Sequence, residues 1–200
     1  LDTILDYMDC TSADILLVQE SRTLQADVPS AQNRAAAKKW NLALAPASAT
    51  DGGVSAGTGV AVRSHIGMKQ PVDCAVDARF ADRICIAQVN AVCKGGIFFI
   101  SVYFLCSVGL SQFNLDLLQE VARVVRSLHG PWLIAADFNF APSVLWRSGW
   151  LKLVKGSVVA SAAPTCRGAE DDYWVVCDAL GGAVVGTSLV NDTGVGPHSA

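Results

Sequence analysis

The sequence predicts a layered α/β or α+β protein built as one domain, and three observations predict it. Apolar residues make up 52% and charged residues 16% of the 200 positions. That is too apolar for disorder and below the usual charged quarter, so the excess belongs in buried strands. Strand-length β-branched runs are interspersed with stretches of helical periodicity. No repeat, low-complexity tract or linker divides a chain long enough for one substantial core.

In order, LDTILDYM sets Leu1, Ile4, Leu5 and Met8 on one helical face, and ADILLVQE is a short apolar run that stops in polar residues. A helix therefore feeds a buried strand. An Ala-rich stretch from about Ser30 to Trp40 predicts a second helix, followed by NLALA and by GGVSAGTGVAVRS, whose end alternates like a strand. RICIAQVNAV and GIFFISVYF, separated by Cys93-Lys94-Gly95-Gly96, predict an antiparallel pair, because adjacent glycines suit a tight connection. Phe113, Leu117, Leu118, Val121, Val124, Val125 and Leu128 recur at helical spacing between Ser111 as N-cap and Gly130 as stop. PWLIAADFN predicts another buried strand. Past a loop near Pro142, WLKLV predicts a weaker one, and YWVVCDAL and AVVGTSLV two more.

A net charge of −3 and a pI near 5.5 exclude a general basic field for a phosphate backbone. Arg123, Arg126, Arg147, Lys152, Lys155 and Arg167 cluster in sequence around the later strand ends. A solvated face is the preferred reading of them over a phosphate-tracking surface. The seven cysteines are odd in number, lack a C-x-x-C pair and mostly sit in apolar runs. They read as reduced core residues and favour an intracellular setting. Gly95 to Leu115 is free of charge, but its glycines, serines, Gln112 and Asn114 break it into a strand rather than a membrane span. No basic segment leads into an apolar run at the N-terminus, so no targeting signal is visible. His65 and His129 lack Cys or His at ligand spacing, face solvent and exclude zinc.

Three strand candidates stop or start at residues suited to a hard cation or a phosphate. They are Gln19-Glu20 after ADILLV, Asp137-Phe138-Asn139 after WLIAA, and Asp171-Asp172 before YWVV. Strand ends hold side chains rigidly at the lip of a sheet. Magnesium keeps several waters and takes one or two protein carboxylates plus substrate phosphate, so such a site needs few residues. Taken singly, each has a bland reading: solvated strand ends for Glu20 and Asp137, a core aromatic for Tyr103, a turn former for Asn139.

Read together, DILLVQE, GTGVAV, ISVYF, LIAADFNFAP, TCRGAEDDY and the terminal PHS resemble the endonuclease/exonuclease/phosphatase superfamily across almost the whole chain, with the D-x-N-x-x-P segment most specific. The resemblance, nearest to retroelement-type endonucleases, implies a four-layer α/β sandwich of two packed mixed sheets with helices outside. It implies Glu20 as metal ligand for Mg2+, or Mn2+ in its place, and Tyr103 as a phosphate contact. Asp137 would activate the attacking water and Asn139 would hold the scissile phosphate. His198 would contact or protonate that phosphate, with Asp172 orienting the imidazole. The implied reaction is in-line hydrolysis of a nucleic-acid phosphodiester.

Against the family pattern, an asparagine strand expected upstream of the first helix is absent from these 200 residues. Pro197 stands where an aspartate usually precedes the histidine, and a closing strand is missing after His198. The expectation is therefore a single domain over 1–200 lacking its first and closing strands. Two other readings stay open: an inactive or impaired copy that at most binds a partner, and a phosphatase- or phospholipase-type phosphoesterase. DNA, RNA and small phosphoesters are not separated by these motifs, nor is oligomeric state.

Overall fold

A computed structural model describes residues 2–190 apart from Val92, Ala162 and Arg167. In chain order its elements are α1 (Asp2–Cys10), β1 (Ile15–Val18), α2 (Val28–Ala37), β2 (Trp40–Ala45), β3 (Ser48–Thr50), β4 (Gly53–Ser55), β5 (Thr58–Arg63) and β6 (Met68–Lys69). There follow β7 (Ile84–Val89), β8 (Ile97–Tyr103), α3 (Gln112–Ser127), β9 (Trp132–Asp137), α4 (Pro142–Arg147), α5 (Trp150–Val154), β10 (Gly156–Val159) and β11 (Asp172–Cys177).

One sheet has the order β1-β5-β2 and is antiparallel. The other has the order β10-β11-β9-β8-β7-β6 and is mixed, with β8 and β9 parallel. A parallel pair needs a long crossover, and α3 supplies it. β3 and β4 form a separate ribbon.

Alternation along the strands sorts side chains into layers. In β2, Trp40, Leu42 and Leu44 pack with Leu5 and Met8 of α1 and Ala31 and Ala35 of α2. Its intervening Ala43 and Ala45 turn to the opposite side, where they meet Val60 and Val62 of β5 and Cys85, Ala87 and Val89 of β7. The other face of the larger sheet, including Ile86, Ile100, Val102 and Ile134, packs on Leu117, Val121 and Val124 of α3 and Leu145 and Trp150 of α4 and α5. Helix, sheet, sheet and helix stack as the four-layer sandwich. Small residues at the seam bring the sheets close, and full burial of each large apolar side chain against a helix stabilises by about 1.5–3 kcal/mol.

The predicted caps of α3 are half right. Ser111 Oγ accepts from Asn114 N at 3.4 Å, but the helix ends at Ser127 with Leu128 already extended, before Gly130. In the β7–β8 connection the glycine requirement is real: Gly96 has φ +75, and a Cβ there would meet Val89 O at 2.3 Å.

Three expectations are corrected. WLKLV is helix α5, with Trp150, Leu151 and Val154 buried at helical spacing and Gly149 (φ +77) and Lys155 (φ +56) bounding it; the strand comes one step later as β10. YWVVC is β11, but AVVGTSLV forms no strand: residues 184–190 have no regular structure and Val185 is fully exposed, because both edges of β11 are taken by β9 and β10. Of the cysteines, only Cys85 and Cys177 are buried, while Cys10, Cys93 and Cys106 are exposed; none of the seven forms a disulfide. Among the described residues no helix is long and apolar enough to cross a membrane.

Candidate functional site

Three strands of the larger sheet meet one lip. The register sets Tyr103 of β8 opposite Asp137 of β9, and Asp137 opposite Asp172 of β11. Their sequence neighbours Val102, Ala136 and Tyr173 pack on the helical face, so alternation turns this polar row toward the seam between the sheets. Tyr103 and Asp137 are 5% exposed and Asp172 is half-buried.

The second sheet brings Glu20 to the same seam through Gln19. Gln19 Nε2 donates to Ser101 Oγ at 2.9 Å and to Ala135 O at 3.1 Å, and Ser101 Oγ donates to Val18 O at 2.7 Å. Gln19 therefore acts as a strut between sheets rather than as a ligand. Glu20 follows, half-buried, at φ +53, and its Oε1 accepts from the exposed Arg22 at 2.8 Å. A non-glycine residue at positive φ is uncommon and strained, and Asn139 (φ +55) repeats the feature across the lip. Asn139 N–H donates to Asp137 Oδ1 at 3.1 Å and its Nδ2 to Phe104 O at 3.0 Å, which uses one of two amide donors.

Burial, then the negative charge of Glu20, Cys106 and Asp137, pushes the Tyr103 phenol well above the usual tyrosine range, opposed only by Arg83. Glu20 and Asp137 thus both act on Tyr103, which stays a hydrogen-bond donor through neutral pH. Tyr173, stacked on Phe138 at 4.0 Å, is raised by burial and then by Asp171. A raised tyrosine keeps its proton in the fold when the unfolded chain, titrating near pH 10, has lost it, so stability falls as pH climbs above about 10. Unfolding free energies from urea melts at about pH 9 and about pH 11 should show a drop, by up to about 1.4 kcal/mol per pH unit above about 10 for each tyrosine. Replacing both by Phe should flatten the drop.

Sequence reasoning missed three neighbours of the row. Thr165, buried, accepts at Oγ1 from the N–H groups of Asp171 (3.2 Å) and Asp172 (3.0 Å) and so pins the start of β11. Arg22 holds Glu20. Arg83, buried before β7, donates from Nη1 to Tyr103 O at 3.2 Å, while Tyr103 N–H donates back to Arg83 O at 3.0 Å. The hairpin register, extended by one residue, was the available signal for Arg83. Among the described residues, Lys155 and Arg123 of the basic residues clustered in sequence lie away from this lip, in keeping with a solvated face. Gly156, beside Lys155, pairs with Cys177 at the far end of β11 from Asp172, and Arg123 is bound to Glu120. His65 and His129 are exposed, as expected. His198, Pro197 and Arg167 lie outside the described residues.

Among the described residues no three of His, Cys, Asp and Glu cluster as a ligand set. A hard cation that keeps most of its waters needs only one or two carboxylates. Glu20, half-buried at this seam and paired among the described residues only with the exposed Arg22, would meet that demand with one carboxylate.

The whole arrangement invites comparison with known proteins. Residues 1–192 match the model described as Endonuclease/Exonuclease/phosphatase family, whose members generally use divalent metals. No curated protein matches the sequence. The fold is similar to the endonuclease domain of TRAS1, a telomere-specific non-LTR retrotransposon, at 14% identity and TM-score 0.69, covering 98% of this chain and 87% of that one. It is also similar to the AP endonuclease LMAP from Leishmania major, at 14% identity and TM-score 0.68, covering 99% and 80%. D. rerio TDP2 complexed with single-strand DNA product matches at 15% identity and TM-score 0.62, covering 90% and 79%.

Proposed function

The chain belongs to the endonuclease/exonuclease/phosphatase family, and from that premise we propose that it is a divalent-metal-dependent phosphodiesterase, an endonuclease acting on nucleic acid. The observation that carries this reading is the row Tyr103, Asp137, Asp172 on three neighbouring strands, faced across the seam by Glu20. The nucleic-acid part draws on the structural neighbours, two of them endonucleases and one bound to a DNA product.

In this reading Asp137 orients the attacking water and accepts its proton. Asn139, fixed by Phe104 O, offers its second amide N–H to a non-bridging oxygen of the scissile phosphate. Tyr103, held protonated, donates to another. Asp172 orients His198, which protonates the departing oxygen. Glu20, with Asp137 in support, would hold Mg2+, or Mn2+ in its place. When bound, the ion supplies Lewis-acid stabilisation of charge on the phosphate oxygens.

Plasmid nicking by the purified chain in Mg2+ against EDTA tests the reading, with Glu20→Ala and His198→Ala beside it. Metal-dependent nicking that falls by about 10²-fold or more in each variant is the expected result. A demonstrably folded chain that leaves plasmid DNA, RNA and model phosphodiesters intact would mean a binding module at most.

A further inference from the structure

The polar row has a fourth member on the next strand. Ile84 of β7 stands opposite Val102 of β8, so the preceding residue, Arg83, stands opposite Tyr103, and the backbone bond from Tyr103 N–H to Arg83 O confirms the pairing. Across β7, β8, β9 and β11 the lip therefore reads Arg83, Tyr103, Asp137, Asp172, with one cation at the end away from Asp172.

Arg83 is 7% exposed. Its guanidinium lies 5.2 Å from the ring centroids of both Tyr103 and Phe113, the latter at the exposed start of α3. Among the described residues the guanidinium makes one hydrogen bond, to Tyr103 O, and no carboxylate comes within ion-pair distance of it. Other arginines differ: Arg22, Arg79 and Arg123 are ion-paired with Glu20, Asp77 and Glu120. A nearly buried cation with most of its five donors unused is costly unless an anion completes it. Two rings and a carbonyl hold the group in place, so little order is lost when a planar anion docks on the fork. Neighbouring strands lie about 4.8 Å apart, which puts Arg83 about 10 Å along the lip from Asp137. An anion there is not the phosphate attacked at Asp137.

We propose that Arg83 binds a second phosphate of the substrate, next along the chain from the scissile one, and so selects a polynucleotide over an ester with a single phosphate. This rests on the phosphodiesterase reading. Because the contact is to a backbone phosphate, it adds affinity without base preference.

The test compares Arg83→Gln with the parent chain on two substrates, a short single-stranded DNA and bis(p-nitrophenyl) phosphate, which has one phosphate. The expected result is a fall in kcat/KM on DNA about 10- to 100-fold larger than any fall on the small ester, with the excess carried by KM. Equal loss on both substrates would reduce Arg83 to a prop for Tyr103, and no loss on either would remove it from the site; both overturn the proposal. A second arm reads binding of the same fluorescently labelled DNA in EDTA across a salt series, which needs no hydrolysis. There Arg83→Gln should weaken binding and lower the slope of log affinity against log salt by about 0.7, the release from one single-strand phosphate contact. If the parent chain hydrolyses nothing, the catalytic reading fails while this arm still decides on Arg83: unchanged affinity and slope overturn it. Should Arg83→Gln not fold, Arg83→Lys decides. It keeps the charge and the slope but loses the fork, so affinity should fall several-fold, and unaltered affinity counts against the proposal.

Discussion

An Asp137→Asn chain should cleave plasmid DNA about 10²- to 10⁴-fold more slowly than the parent, the usual loss when a positioned base is removed. The substitution is nearly isosteric, and three observations make it a clean probe. Asp137 is the last residue of β9, central in the sheet between β8 and β11. Its backbone is clamped on one side by Phe104 N–H donating to Asp137 O at 2.9 Å, so the chain path does not depend on the carboxylate. Its Oδ1 accepts from Asn139 N–H at 3.1 Å, a bond the amide oxygen of Asn can keep. What Asn cannot do is take a proton or carry negative charge toward a cation. A loss of rate without loss of folded protein would therefore report chemistry. The check is single-turnover nicking beside a urea melt of the same variant. A rate within about threefold of the parent would take Asp137 out of the chemistry and leave it as a strand end, since a true base contributes at least about 10².

The residues of this row differ in how well the sequence revealed them, for physical reasons. Asp137 and Asn139 end a strongly apolar run, and Glu20 follows another, so the switch from buried to polar marks the lip directly. Tyr103 reads alone as a core aromatic; only the family resemblance singled it out, and the β8–β9 register then sets it beside Asp137. Arg83 was invisible because a charge before a strand is ordinary; only pairing across four strands makes it part of a site. Gln19 looked like a ligand because a polar residue at a strand end suits that role, yet its two hydrogen bonds, to Ser101 and Ala135, turn it into a strut between sheets. The fold was legible wherever period and length agreed, as in α3, β7 and β8. It was not legible at WLKLV, where five residues carry too little period to separate helix from strand. At AVVGTSLV it failed because β propensity describes a surface that needs a partner, and none is offered.

The layer that carries Glu20 depends on one side chain more than any other, and Trp40→Ala should cost about 3–5 kcal/mol of stability. Trp40 opens β2 and is fully buried against Leu5, Met8, Ala31 and Ala35, so truncation leaves a cavity between the smaller sheet and both of its helices. Its Nε1 donates to Met8 O at 3.2 Å, tying the sheet to α1, and Arg63 stacks over its ring at 4.3 Å. Arg63 also donates to Ala13 O at 3.3 Å in the turn that leads into β1. Loss of the indole should therefore loosen the approach to Gln19 and Glu20 as well as the core. Trp40→Phe separates the contributions: it restores most of the apolar contact but leaves Met8 O without its donor, and should cost about 1–3 kcal/mol. Both costs are large against the roughly 5–15 kcal/mol that holds a domain together, so the Ala variant should show a much earlier urea midpoint. A shift below about 1 kcal/mol for Trp40→Ala would mean that α1 and α2 contribute little to the fold, and that β1 is seated by the inter-sheet seam alone.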